Sequence, residues 1–220
     1  MGRPRAFDRE AALDRAMDAF WTKGYEATSI EDLVGRMGIQ RGSLYGTFGD
    51  KRTLFMAALD RYHRVVGREL LEALETPGSG LAAIRRFFRV RVASALNPRR
   101  PAGCLVTNSA VELSRRDRGA AARVGGSLAQ MEAAFRRALE QARAGGELSA
   151  GRDLRALARF LTSSAQGLSV MAKAFPDRAL LEDVVSVVLA AVETDRAAPR
   201  QKRVRARPSL GRARRRRASG

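Results

Sequence analysis

The chain is poor in several things that chemistry often needs. Its 220 residues include one cysteine and one histidine, and only 6% are aromatic. A single cysteine excludes an internal disulfide. The lone histidine, His63, has no second histidine and no Cys, Asp or Glu at ligand spacing, so no metal site is expected and His63 reads as a surface or interface residue. Runs of alternating Val, Ile and Thr, the mark of strands, are absent. No apolar run reaches the length of a membrane span; the longest, Val184 to Val192, is broken by Ser186 and suits a buried helix. There is no Ser-His-Asp set and no glycine-rich phosphate loop. Cys104 as an enzyme nucleophile would have only His63 for a base. With no signal peptide either, the expectation is an all-α, non-enzymatic, cytoplasmic protein without cofactor, metal or membrane contact.

What the chain has is positive charge, unevenly placed. The formal charge is +18, but the stretch PRQKRVRARPSLGRARRRRASG at residues 199–220 carries ten Lys or Arg and no acid, and without it the charge is +8. That tail cannot form a core and is expected to be disordered. It reads either as a salt-sensitive, sequence-independent DNA contact or as a solvated extension. At the other end, Arg3 and Arg5 sit in a short arm, GRPRA. A groove-following arm and a frayed terminus both fit it. The 45% hydrophobic content is ample for a core between these ends.

The most informative stretch is Thr28 to Lys51, TSIEDLVGRMGIQRGSLYGTFGDK. Thr28 and Ser29 can cap a helix whose first turn holds Glu31 and Asp32. Ile30, Leu33, Val34 and Met37 share one face, and Gly38 ends the helix in the left-handed region. A second helix, about Gln40 to Phe48, buries Leu44 and Phe48 and leaves Arg41, Ser43, Tyr45 and Thr47 outward. It is too short to be stable alone, so it makes sense as an element held by neighbours to present a polar face. That is the logic of a helix-turn-helix. Gln40 and Arg41 lie at the end whose side chains reach base edges. Asp50 caps the next helix and sets Lys51 beside free N–H groups, where a phosphate is welcome.

Around this unit, Asp8 caps a helix to about Lys23, with Leu13, Ala16, Met17, Phe20 and Trp21 as its apolar stripe. A long helix is predicted from Asp50 to about Leu74. Further helices follow to about Leu96, from Cys104, up to about Ala144 after a break near Asp117 to Gly119, from Asp153 to Ala174, and from Arg178 to Thr194. The last two are apolar on more than one face. One face packs within the subunit; the other most simply packs against a second copy.

Three segments resemble a known family. Phe20, Gly24, Tyr25, Ala27, Thr28, Ser29, Ile30, Asp32 and Leu33, then Gly38, Ile39, Arg41, Gly42, Ser43, Leu44, Tyr45, Phe48 and Lys51, resemble the DNA-binding domain of the TetR family of bacterial transcriptional regulators. The Gln-Gly-Leu at Gln166 to Leu168 is similar to a later region of that family. Gly103 to Glu112, G-C-L-x-x-N-x-A-x-E, resembles a subgroup in which some members sense electrophiles or oxidants through a cysteine.

The resemblance implies a DNA-binding head at residues 1–49, a ligand-binding and dimerising body at 50–198, and the basic tail at 199–220. It implies a homodimer through the last two helices that binds a palindromic double-stranded operator and is released by a small-molecule effector or reactive species; an activator or a ligand-independent regulator of the same fold is the alternative. Gln40, Arg41 and Ser43 are then expected to read bases. Thr28, Tyr45 and Lys51 hold phosphates by the family pattern, and Gly42 and Thr47 complete the contact face. The effector pocket is expected among Phe87, Phe88, Cys104, Leu105, Met131, Phe135, Leu161 and Met171. Cys104 itself reads either as a sensor, favoured as thiolate by a helix N-terminus with Arg99 and Arg100 upstream, or as a small packing residue. Gln40 and Gly46-Thr47 depart from the family pattern on the reading helix, so the operator sequence is not implied.

Overall fold

The computed structural model describes residues 7–193. The basic arm and the basic tail both lie outside the described residues. Within them the chain forms α-helices and no strand: α1 (Arg9–Lys23), α2 (Ile30–Met37), α3 (Arg41–Phe48), α4 (Lys51–Tyr62), α5 (Arg68–Glu75), α6 (Gly80–Ala95), α7 (Leu105–Leu113), α8 (Arg118–Ala144), α9 (Leu154–Ala174) and α10 (Arg178–Glu193). The polar residues between apolar stripes set the boundaries. Asp8, Asp50, Ser79, Asp117 and Asp153 each cap a helix start with side-chain bonds to free N–H groups. Of the two candidates for capping α2, Ser29 does it, in a reciprocal capping box with Asp32. Gly38 ends α2 at φ 68°, and Arg15 donates to the Met37 carbonyl at 2.9 Å, so the turn into α3 is held from both sides.

The helix predicted from Asp50 to Leu74 is continuous but not uniform. Residues His63–Gly67 form a π-helical segment, with the Arg68 N–H donating to the His63 carbonyl five residues back. Gly67 carries no side chain where the His63 ring lies: a Cβ there would come within 3.2 Å of His63 Nδ1. Gly80 is tighter. A Cβ would overlap the backbone of α8 at Ala138 and Ala142, so only glycine lets α6 approach α8 this closely.

Two hydrophobic cores result. The first joins α1 to α4 with Cys104, Leu105, Val106 and Leu113 of α7 and its cap, and with Ala120 and Val124 of α8. The second joins α5, α6, the rest of α8, α9 and α10. Although α7 follows α6 in the chain, it belongs to the core that supports the reading helix.

Candidate nucleic-acid interface and buried cluster

Leu44 and Phe48 are buried and fix α3 on the first core, where Phe20, Tyr25 and Phe55 stack and cross with centroids 4.9–6.2 Å apart. The opposite face of α3 is open. Arg41, Gly42, Tyr45 and Thr47 are exposed and Ser43 is half-buried. Gly42 and Gly46 have nothing within reach of an added Cβ, so the backbone itself is approachable there. Gln40 is the residue before α3 and makes no side-chain cap bond, leaving its amide free. Arg41 pairs with exposed Glu31 at 3.0 Å and leans over the Tyr45 ring at 5.9 Å. Lys51 lies 4.5 Å over the Tyr25 ring and donates to the Glu26 carbonyl at 3.3 Å. The fold therefore brings Gln40, Arg41, Gly42, Ser43, Tyr45, Thr47 and Lys51 to one end of the head.

Thr28 is the exception and corrects the expectation. It is fully buried, and its hydroxyl donates to the Gly24 carbonyl at 2.5 Å. A side chain spent inside the turn offers nothing to a phosphate. Its part is to shape the α1–α2 turn.

That turn is also gripped from the body. The Glu112 carboxylate on α7 accepts from the N–H of Tyr25 at 2.9 Å and of Glu26 at 2.7 Å. Asn108, one turn earlier, approaches the Trp21 carbonyl at 3.5 Å. The Asn and Glu of the Gly103–Glu112 pattern thus add polar contacts to the apolar packing by which α7 holds the head. Two ion pairs add to the junction: Arg52 with Asp117 at 2.5 Å and Arg123 with Asp60 at 2.9 Å. The Arg52 hydrogen bond and backbone N–H groups at the start of α8 hold the Asp117 carboxyl down to about 2.

Behind α7 lies a polar cluster that sequence reading missed. Cys104 is buried, and the Tyr62 hydroxyl donates to its Sγ at 3.4 Å. Arg91 of α6 is only 3% exposed, and its Nε makes a long bond of 3.4 Å to the Ala165 carbonyl. Burial pushes the Cys104 thiol up, but the Arg91 charge and hydrogen bonds from Tyr62 and Thr107 outweigh it and leave the thiol below its ordinary value. Burial, then the charge at Cys104, holds the Tyr62 phenol well above its own. The cation is Arg91, brought from α6, and not the sequence neighbours. Arg100 pairs with Glu69 at 2.8 Å, and Arg99 is exposed. The only sign in the sequence was an arginine at an inward position of α6, next to Val92.

This cluster borders a cavity of about 30 Å³, whose lining includes Tyr62, His63, Arg91, Cys104, Met131 and Gln166. Of the eight residues expected around a pocket, Cys104 and Met131 are here. Phe87, Phe88, Phe135 and Leu161 are instead fully buried in the second core, the three rings 4.6–6.0 Å apart, and none of them lines this cavity. Leu105 is buried in the first core, and Met171 packs on the edge of the second. Large apolar residues at helical spacing filled the core rather than lining a cavity.

Phe160 and Val170 on α9, Phe175 just after it, and Val184 and Val187 on α10 remain exposed.

Comparison with known proteins agrees with this architecture. Residues 12–58 match the model of bacterial regulatory proteins of the tetR family, and residues 80–188 match the model of the tetracyclin repressor-like C-terminal domain. An HTH-type transcriptional regulator of Bacillus subtilis (strain 168), YezE, is 39% identical over 194 residues, covering 88% of this chain and all of that one. The HTH-type transcriptional repressor ComR of Escherichia coli (strain K12) is 36% identical over 173 residues, covering 78% of this chain and 82% of its own. A cysteine-substituted form of the TetR family regulator CifR, solved with 26-bp double-strand operator DNA, superposes with a TM-score of 0.80 at 36% identity, covering 87% of this chain and all of that one.

Proposed function

This chain belongs to the TetR family of DNA-binding transcriptional regulators, and on that premise we propose that it is a repressor that binds a palindromic operator as a homodimer and is released by an effector in its helical body. The observation that carries the reading is α3: two buried anchors below, Leu44 and Phe48, and an open polar face above. Arg41 and Gln40 reach base edges in the major groove, with Ser43 and Thr47 beside them. The Arg41–Glu31 pair is exposed on both sides, so it is weak in water and exchanges readily for a base edge. Lys51 and Tyr45 hold phosphates on either side. The exposed apolar residues of α9 and α10 supply the isologous dimer face, which sets two reading helices about one DNA turn apart. ComR, a repressor by name, and CifR, solved on its operator, support the same reading.

Release requires a link between body and head, and α7 is that link. Its start carries Cys104 at the buried cluster, and its far end carries Glu112 on the Tyr25–Glu26 turn. A ligand or thiol modification that shifts α7 moves the turn that leads into α2, and so re-spaces the reading helices.

Selection from genomic DNA fragments at moderate salt, with the full chain and with a chain ending at Ala198, tests the reading. Both enrich one palindrome if α3 supplies specificity. Binding by the full chain alone, without sequence preference, would show the tail to be the DNA contact. A turnover assay dependent on Cys104 would replace the regulator by an enzyme.

A further inference from the structure

Arg91 is a buried cation without an acid. No carboxylate lies within ion-pair distance of it among the described residues; the guanidinium interacts with Tyr62 and Cys104 and makes a long bond to the Ala165 carbonyl, and its Nη2 has no hydrogen-bond partner. An uncompensated buried charge is costly, and proteins that keep one supply it with a counter-charge. The nearest internal candidate is Cys104, a single soft atom already accepting from Tyr62. It cannot satisfy a planar fork of N–H donors, which matches two coplanar oxygens. The cavity beside the guanidinium has about 30 Å³ of room, enough for a water or a carboxylate head, so an alkyl body enters only by displacing the lining side chains. Beyond the polar end its lining is apolar, with Leu70, Leu71, Leu128 and Met131. His63 also lines the cavity, with its Nδ1 engaged with Ser127 Oγ at 3.3 Å.

We propose that this cavity is a binding site for a short-chain monocarboxylate, its two oxygens on Arg91 and the Tyr62 hydroxyl and its alkyl body among Leu70, Leu71, Leu128 and Met131. The proposal rests on the reading that the helical body houses an effector site, and it names that effector's class. The bound anion neutralises Arg91 and takes the Tyr62 hydroxyl from Cys104. Because Cys104 caps the start of α7 and Tyr62 closes α4, the carboxylate sits at the joint between the head core and the helix that grips the α1–α2 turn. The π-helical segment at His63–Gly67 borders the same cavity and gives α4 and α5 a place to adjust around a longer chain.

The test uses the full chain with sodium propionate as probe and propionamide, its neutral counterpart, as control, at ionic strength fixed with chloride. Saturable stabilisation by propionate, with a rise of about 5 °C or more in the unfolding midpoint at saturation and none with propionamide, is the expected result. Arg91→Met removes the cation and loses the response. Without ligand it unfolds at or above the wild-type midpoint, because an apolar side chain replaces an unpaired charge. Arg91→Lys keeps the charge without the fork and binds propionate at least tenfold more weakly, a second measure if the methionine variant does not fold. Equal effects of propionate and propionamide, no effect of either, or an unchanged propionate affinity in Arg91→Lys would overturn the site. Operator binding is read in the same wild-type samples. Propionate binding without operator release keeps the carboxylate site and rejects it as the effector site. Failure to bind the operator even without propionate counts against the regulator reading alone.

Discussion

Arg41 and Arg91 are both helical arginines, and the fold treats them in opposite ways. Arg41 stands on the open face of α3 beside Glu31, in water, where its ion pair is worth little and its partner is exchangeable. Arg91 is enclosed between α6, α7, α9 and Tyr62, without an acid, where any counter-charge it meets is worth much more. The first arrangement suits a contact that must come and go with DNA. The second suits a site that discriminates by charge and holds what it selects. The two are joined by α7, which is packed with the reading head but begins at the buried cluster.

The reading face is only displayed, its stability coming from the core beneath. Emptying that core is the strongest way to break it. Phe55 is buried against Phe20 at 5.0 Å and Tyr25 at 4.9 Å. Phe55→Ala should cost about 3–5 kcal/mol in denaturant unfolding and abolish operator binding with it. If operator binding survived such a loss, α3 would be self-supporting.

Removing the displayed residue should leave the fold and lose the DNA. Arg41→Ala is expected to weaken operator binding by about 1–3 kcal/mol, roughly five- to 150-fold, with an unfolding midpoint close to wild type. Titration of a labelled operator checks the first part and thermal unfolding the second. A drop in stability as large as the drop in affinity would make Arg41 a structural residue.

The link between the regions is sharper still in Glu112. Glu112→Ala frees two backbone N–H groups that a carboxylate now accepts, and should cost about 1–2 kcal/mol. Amide exchange at Tyr25 and Glu26 should quicken while the second core, at Phe87 and Phe135, stays protected. Equal loss of protection in both cores would mean that α7 is not a local grip.

The smallest effect is with acid. The Lys23 hydrogen bond, followed by those of Ser29, holds Asp32 down to about 2, and Arg52 does the same for Asp117. A carboxyl lowered on folding contributes stability that is present above its unfolded value near 3.8 and is lost as pH falls through 2. Both groups are half-buried and still in reach of water, so the change is modest. Asp32→Asn and Asp117→Asn should each flatten the fall in unfolding midpoint between pH 4 and 2. An unchanged slope in both would show that the pairs add nothing in solution.

The head was legible because its signals are local. A serine before a helix with acids in its first turn, a glycine after an apolar stripe, and two apolar residues four apart define α2 and α3 without reference to distant chain, as the caps at Asp8 and Asp50 do for α1 and α4. Spacing also identified which residues of α3 face outward. It failed at Thr28, because a hydroxyl beside a helix start can turn outward to a phosphate or inward to a carbonyl, and only the packed turn decides. Four of the eight residues expected around a pocket lie in the second core instead, for a related reason. Phe87, Phe88, Phe135 and Leu161 have the spacing of any inward-facing residue, and spacing cannot distinguish a filled core from a lined cavity.

The sequence by itself therefore determined an all-α chain, a helix-turn-helix with its polar face, and a family. The tertiary structure alone decided that α7 packs with the head, that Glu112 grips the α1–α2 turn, and that Arg91 faces Cys104. These contacts join residues 13 to 87 positions apart, counted between Arg91 and Cys104 and between Tyr25 and Glu112. No periodicity reaches across such distances. A buried charge declares itself only when the helices around it have closed and the water that would have screened it is gone.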